Sequence, residues 1–238
     1  MCAKTSKILI DKNSVVKRVL DEMRSHIILG KYHPGSRVLE SELAHSYDAS
    51  RGTIRTALQE LASEGLVEYL DNGGCMVVGL DEKNVRDTYQ LRLMLELNAV
   101  EIILNSNTIS FTPMMQVFDA YAEREKAPEF QQNQLEYFVD LDMQMHSAFM
   151  QITQNRPILR AWIALSPVIR NLLIMNAADE YREEFIAKFY DQHKLLLDYA
   201  ILKDPRLVQE VEKQIHRGTE IAVSTLRILQ SDRKDVSE

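Results

Sequence analysis

The stretch from Pro34 to Val77, PGSRVLESELAHSYDASRGTIRTALQELASEGLVEYLDNGGCMV, decides the fold of the first third of the chain. It predicts a short helix, a tight turn, a second helix that begins at Ser50, and a two-stranded ribbon. Ser50 is a residue type that caps helix N-termini, and Gly65 is the type that ends helices. Apolar residues recur at helical spacing in the second helix, which predicts one buried face. These residues are Ile54, Ala57, Leu58, Leu61 and Ala62.

The predicted ribbon consists of strands at residues 66–70 and 75–78. They flank Asp71-Asn72-Gly73-Gly74, and a turn rich in Asn and Gly between two apolar runs predicts a β-hairpin. Two helices joined by a turn and followed by a hairpin make a winged helix-turn-helix.

The exposed face of the second helix carries Arg51, Thr53 and Arg55. Arg51 and Arg55 are four residues apart, so their guanidinium groups project from one side of the first turns. This part of a recognition helix enters the major groove of DNA, where Arg bonds guanine and phosphate through two N–H groups. Exposed arginines are often only a solvated face. The agreement of spacing, cap, helix stop and hairpin favours binding to double-stranded DNA.

The whole segment closely resembles the DNA-binding domain of the GntR family of bacterial transcription regulators. The matching residues are Pro34-Gly35, Glu40, Leu43-Ala44, Ser50-Arg51, Ile54-Arg55, Ala57-Leu58, Leu61, Glu64-Gly65-Leu66, Asn72, Gly74 and Val77. The resemblance implies that Arg51, Arg55 and the glycine at the tip of the wing, Gly74, contact DNA. The chain departs from the usual family pattern at Ser41, Tyr47 and Thr53, which affects the operator sequence rather than DNA binding.

The charge is distributed unevenly between two predicted domains, residues 1–80 and 81–238. The first contains ten Lys/Arg and ten Asp/Glu, so the whole net charge of −7 belongs to the second. DNA contact is therefore expected from a local basic face, with a clear dependence on salt. The two cysteines exclude a disulfide framework, and neither a membrane span nor a secretion signal is predicted, so we expect a cytoplasmic protein.

The second domain is predicted to be helical throughout, with helices at about 83–105, 112–126, 130–154, 157–177, 180–202 and 205–230. Six antiparallel helices with short connections make a bundle. The predicted fold is therefore mainly α: an N-terminal winged helix-turn-helix followed by an all-α antiparallel bundle.

Four side chains of this bundle could bind a metal ion. Asp142 and His146 lie one helical turn apart within a buried apolar stripe, and His193 lies on the buried face of another helix; His216 flanks the stripe of the last helix. Their nitrogen and oxygen donors suit Zn²⁺, Ni²⁺ or Mn²⁺ and leave a coordination position open. The alternative is an Asp142–His146 pair that orients the imidazole without metal.

The second domain also resembles the ligand-binding FCD domain (FadR C-terminal domain) of one GntR subfamily. The matched residues are Tyr89, Arg92, Glu96, Asp142, His146, Asn155, His193 and His216. The resemblance implies that Asp142 and the three histidines hold an ion against which a small carboxylate effector binds. Arg92 either pairs with Glu96 at i+4 or grips the effector carboxylate through two N–H groups.

We interpret the chain as a non-enzymatic, metabolite-responsive transcription regulator, and repression is the outcome that the resemblance favours. A homodimer reading two half-sites of a palindromic operator is expected because one reading head gives little specificity. Two alternatives remain open. One is an architectural DNA binder whose metal only stabilises the bundle, and the other is a metalloenzyme fused to a DNA-binding domain.

Overall fold

A computed structural model describes residues 12–124, 134–176 and 182–235. The chain divides into two compact units, Met1–Leu80 and Asp81–Glu238. The first contains α1 (Lys12–Ile28), β1 (Arg37–Val38), α2 (Glu40–Ser46), α3 (Arg51–Ser63), β2 (Val67–Tyr69) and β3 (Cys75–Val77). The second contains α4 (Glu82–Asn105), α5 (Thr112–Arg124), α6 (Gln134–Gln151), α7 (Arg156–Asn176), α8 (Arg182–Leu202) and α9 (Arg206–Asp235). The predicted fold class, a winged helix-turn-helix followed by an all-α bundle, is confirmed.

In the first unit α3 packs against α1 and α2 through the apolar face that its spacing predicts. Ile54, Leu58 and Leu61 are fully buried. The hairpin is also confirmed, since β2 and β3 pair antiparallel. The sheet has a third strand, because β1 pairs with the other side of β3. The sequence did not predict β1, since two residues are too few to show an alternating pattern.

A buried ion pair joins α1 to the C-terminal end of α3. The guanidinium of Arg24 donates from Nε to Oε2 of Glu64 at 2.7 Å and from Nη2 to Oε1 at 2.6 Å. Its Nη1 donates to Asp21 at 2.7 Å. The side chain of Arg24 is 3% exposed and that of Glu64 is 10% exposed. Such a pair is costly to break, because either partner alone would be left as a buried charge.

In the second unit α4 packs on α9 and α7, while α6 packs on α5, α7 and α8. The start of α4 is fixed by a capping box: Asp81 accepts from the backbone of Asn84 at 2.6 Å, and Asn84 accepts from the backbone of Asp81 at 3.3 Å. The six predicted helices correspond to α4–α9. Parts of their predicted ends, at 125–133 and 177–181, lie outside the described residues.

Helix α7 is long and apolar enough, by length and composition, to cross a membrane. No membrane span was predicted for this segment from the sequence. A core helix of a bundle has the same composition, and α7 packs against α4, α6 and α9. Its Trp162, Ile169 and Leu172 are fully buried by these contacts.

Candidate functional site

The N-terminus of α3 presents the two arginines that the sequence singles out. The cap is confirmed, since Ser50 Oγ accepts from the backbone of Thr53 at 3.1 Å. Arg51 and Arg55 are both exposed. In the part of the chain that the structure describes, no ion pair or hydrogen bond holds the guanidinium of Arg51. A cationic group is therefore displayed on the first turn of this helix.

Arg55 is exposed but has a partner on α2. Its Nε donates to Oε1 of Glu40 at 3.0 Å and its Nη2 donates to Oε2 at 2.8 Å. The hydrogen bonds from Arg55 hold the pKa of the Glu40 carboxyl below its usual value. One edge of the guanidinium is thus fixed by Glu40. Among the described residues no hydrogen bond uses Nη1, so the outer edge can still reach an acceptor on DNA.

Thr53 does not lie on the exposed face that the sequence predicts for it. It is buried, and its hydroxyl lies 2.9 Å from that of Ser50. Because Thr53 is the third residue after the N-cap, it occupies the position whose side chain completes a capping interaction. Thr53 therefore supports the helix cap, and its contact with DNA stays a prediction.

The tip of the wing requires glycine at position 74. Gly74 has φ +80°, and a Cβ there would lie 3.0 Å from the carbonyl oxygen of Val38. Arg37 reaches the same tip, since its Nη2 donates to the carbonyls of Asn72 at 3.2 Å and Gly73 at 2.5 Å. Arg37 was not predicted to lie at the tip, because the pairing of β1 with β3 brings it there and leaves no local signal in the sequence. Contact between Gly74 and DNA stays a prediction.

In the second unit three of the four predicted metal ligands come together. Helix α6 supplies Asp142 and His146, and α8 supplies His193; one donor atom from each lies within 4.8 Å of the others. All three side chains are buried. His193 Nε2 lies 3.2 Å from Asp142 Oδ1, and His146 Nε2 lies 3.7 Å from Asp142 Oδ2.

The hydrogen bonds of His193 indicate which of its nitrogens carries the proton. Nδ1 lies 2.8 Å from the carbonyl oxygen of Phe189, which can only accept, so Nδ1 is the donor. The Nε2 lone pair then points toward Asp142. Within the described residues Asp142 Oδ2 and His193 Nε2 are both buried without a hydrogen-bond partner. The guanidinium Nη2 of Arg92 lies 3.9 Å from Asp142 Oδ2, too far for a hydrogen bond. A cation bound to both buried acceptors would remove the cost of leaving them unpaired.

His146 is fixed in the same tautomer by Glu96 of α4. Nδ1 lies 3.0 Å from Glu96 Oε2, and a carboxylate of this kind commonly orients a metal-binding imidazole. Burial opposes the negative charge of Glu96, but His146 and Arg92 lower its pKa to about 2. Burial likewise opposes the charge of Asp142, yet His146, His193 and Arg92 hold its pKa below the usual value. Both carboxylates are therefore ionised.

Arg92 lies inside this cluster rather than beside it. Its Nε donates to Glu96 Oε1 at 2.8 Å, and its Nη2 lies 2.7 Å from His146 Nε2. The predicted i,i+4 pair with Glu96 is thus present. The contacts of Glu96 and Arg92 with His146 come from a different helix and were not predicted.

The structure does not bring His216, the fourth predicted ligand, into this cluster. The buried face of α9 is formed by Val211 and Ile215, and His216 is exposed. Successive residues of an α-helix are about 100° apart around its axis, so the residue after Ile215 points away from that face.

Comparison with known proteins agrees with both units. The model for the family described as bacterial regulatory proteins, gntR family, matches residues 15–77, and that for the FCD domain matches residues 87–216. The gluconate operon transcriptional repressor of Bacillus subtilis is 26% identical over 201 residues, covering 84% of this chain and 81% of the relative. The probable D-xylose utilization operon transcriptional repressor of Paenarthrobacter nicotinovorans is 26% identical, covering 86% of each chain.

A solved structure shares the fold. The putative transcriptional regulator GntR from Rhodococcus sp. RHA1 superposes with a TM-score of 0.60 at 20% identity, covering 89% of this chain and 98% of that one. These families and relatives are transcription regulators rather than enzymes. The chain therefore belongs to the GntR family of transcription regulators, with a GntR DNA-binding domain followed by an FCD domain.

Proposed function

We propose that this regulator is a metabolite-responsive repressor whose operator binding is controlled by a small carboxylate at a metal site in the FCD domain. The observation that carries the proposal is the pair of buried acceptors, Asp142 Oδ2 and His193 Nε2, which have no hydrogen-bond partner among the described residues. A proton on His193 Nε2 would satisfy that nitrogen but leave Asp142 Oδ2 without a partner. A cation bound to both satisfies both.

The donor set suits Zn²⁺, Ni²⁺ or Mn²⁺. Two imidazole nitrogens and one carboxylate are the ligands that such ions take in sites with an open position. Glu96 and the carbonyl of Phe189 hold the two imidazoles with Nε2 toward the site. A bound divalent ion would supply positive charge for an anionic ligand. The chain's own contribution to that ligand is Arg92, whose guanidinium can grip a carboxylate through two N–H groups.

Operator binding belongs to the winged helix, through Arg51, Arg55 and the wing tip at Gly74. We propose a cytoplasmic homodimer that reads the two halves of a palindrome. Leu91 and Met94 of α4 support dimerisation, since they are 45% and 62% exposed and form an apolar surface suited to a second copy. The effector controls DNA binding by its unequal affinity for two arrangements of the dimer. Repression is supported by relatives named as operon repressors.

A second role is favoured by the burial of the cluster. Asp142, His146 and His193 are only 3–5% exposed, so an ion held by them would be shielded from solvent. In this role the ion stabilises the bundle and no metabolite affects operator binding.

One experiment separates the two roles. The operator of the full-length protein is selected from random duplexes, and its affinity is followed by fluorescence anisotropy while organic acids, gluconate among them, are titrated. The proposed function predicts that at least one acid weakens binding to wild type and to His216→Ala, but not to His193→Ala. If chelation lowers thermal stability and no acid changes operator affinity, the ion is structural and the proposal is wrong.

A further inference from the structure

Two groups compete for one atom in the FCD domain, Nε2 of His146. His146 Nε2 is the nitrogen that a metal would use, because Nδ1 is held by Glu96 at 3.0 Å. The same Nε2 accepts a hydrogen bond from Arg92 Nη2 at 2.7 Å. An imidazole nitrogen has a single lone pair, so it cannot bind an ion and accept from a guanidinium at once.

Arg92 can leave His146 without losing its other anchor. Its Nε is bonded to Glu96 Oε1 at 2.8 Å, and its carbon Cζ lies 6.0 Å and 5.9 Å from the ring centroids of Tyr89 and Trp162. Moving Nη2 away from Nε2 breaks one hydrogen bond and the 3.9 Å ion pair of Nη2 with Asp142 Oδ2, and leaves the contact with Glu96 in place.

The formal charge of the cluster changes sign when a divalent ion enters. Counted as two carboxylates, one guanidinium and two neutral imidazoles, the cluster of Asp142, Glu96, Arg92, His146 and His193 has a formal charge of −1. With a divalent ion the total becomes +1. A buried site of charge −1 repels a carboxylate, whereas one of charge +1 attracts it.

We propose that Arg92 is a metal-gated receptor for the effector carboxylate: it occupies His146 Nε2 when the metal is absent, and metal binding at that atom releases its guanidinium to bind the carboxylate. This rests on the proposed function, since it assumes that Asp142, His146 and His193 bind metal. It implies that metal and effector bind with positive coupling, each raising the affinity for the other.

We call this competition between Arg92 and the metal for His146 Nε2 the gate. It predicts a change in metal affinity on removal of Arg92 that is opposite to the change expected for an arginine with a structural role. If Arg92 only supports the site, removing it loosens the ligands and weakens metal binding. If Arg92 competes for Nε2, removing it strengthens metal binding. Because loss of a cation also strengthens metal binding through net charge, the decisive variant is Arg92→Lys, which keeps the charge of the cluster and the Glu96 carboxylate that orients His146. A lysine head is a single ammonium group and cannot bridge Glu96 and His146 as the guanidinium fork does.

The test is a Zn²⁺ titration of full-length, metal-stripped protein in competition with a chromophoric chelator. We expect Arg92→Lys to bind Zn²⁺ about tenfold more tightly than wild type, since the bidentate donor no longer competes for His146 Nε2. Equal or weaker binding would overturn the gate. If Arg92→Lys does not fold, as judged by circular dichroism, Arg92→Met with Glu96→Gln is compared with Glu96→Gln alone, so that both variants lack the carboxylate. Equal or weaker Zn²⁺ binding by that double variant overturns the gate.

The His193→Ala variant separates this inference from the proposed function. If wild type binds Zn²⁺ no better than His193→Ala, the metal site itself is wrong, and the gate falls with it. If wild type binds Zn²⁺ well and the Arg92 variants bind no better, the metal site stands and only the gate is wrong.

Discussion

The buried pair of Arg24 and Glu64 allows a matched test of what holds the recognition helix in place. Glu64→Gln removes a charge whose side chain is 10% exposed and leaves the guanidinium of Arg24, 3% exposed, with Asp21 only. Glu22→Gln is the control, since it removes a carboxylate from an exposed pair with Arg18, another arginine of α1.

Breaking a buried pair costs about 3–5 kcal/mol. We expect the lower end, about 3 kcal/mol, because Asp21 still accepts from Arg24 Nη1 at 2.7 Å. The exposed pair should contribute roughly 0–1 kcal/mol. Since the first unit has about 80 residues, 3 kcal/mol lowers its melting temperature by more than 10 °C, on the order of 4–8 °C per kcal/mol.

Urea unfolding followed by circular dichroism measures the effect. The single tryptophan, Trp162, lies in the second unit, so its fluorescence reports on the bundle alone. Glu64→Gln should shift the unfolding of the first unit, seen by circular dichroism, to lower urea concentration. The unfolding of the bundle, seen by tryptophan fluorescence, should not shift. If Glu64→Gln lowers the free energy of unfolding by no more than Glu22→Gln does, the pair of Arg24 and Glu64 does not fix α3 on α1.

Three further predictions concern the winged helix. Arg51→Ala should weaken binding to the selected operator by about 1–3 kcal/mol in anisotropy titrations, with unchanged circular dichroism, whereas an equal loss on random duplex would contradict base reading by Arg51. Glu40→Gln releases Arg55 and removes a negative charge near DNA. The affinity for random duplex should therefore rise, and the ratio of operator affinity to random-duplex affinity should fall. An unchanged ratio would show that Glu40 does not position Arg55. Gly74→Ala should cost roughly 1–3 kcal/mol of stability at φ +80°, measured by urea unfolding, and no loss would contradict the close approach of Val38.

The winged helix could be predicted well from the sequence because its signals are local. Cap, apolar spacing, helix stop and hairpin turn each lie within a few residues, and each was found where it was expected. Thr53 was misplaced although a local signal existed, since a threonine three residues after Ser50 fits a capping interaction.

The metal cluster could be predicted only in part, because it depends on contacts between helices. Asp142 and His146 share a turn of α6, so their common face follows from spacing, and His193 lies within a clear apolar stripe. His216 lies at the edge of its stripe, where spacing does not fix the side a residue faces. The contact between Glu96 and His146 joins α4 to α6 and leaves no pattern in either helix.

The metal content of the protein tests the central claim most directly. Full-length wild type, His193→Ala and His216→Ala are purified without chelators and analysed by inductively coupled plasma mass spectrometry. We predict about one divalent transition-metal ion per chain in wild type and His216→Ala, and almost none in His193→Ala. Wild type without metal, or His193→Ala with as much metal as wild type, would contradict the account.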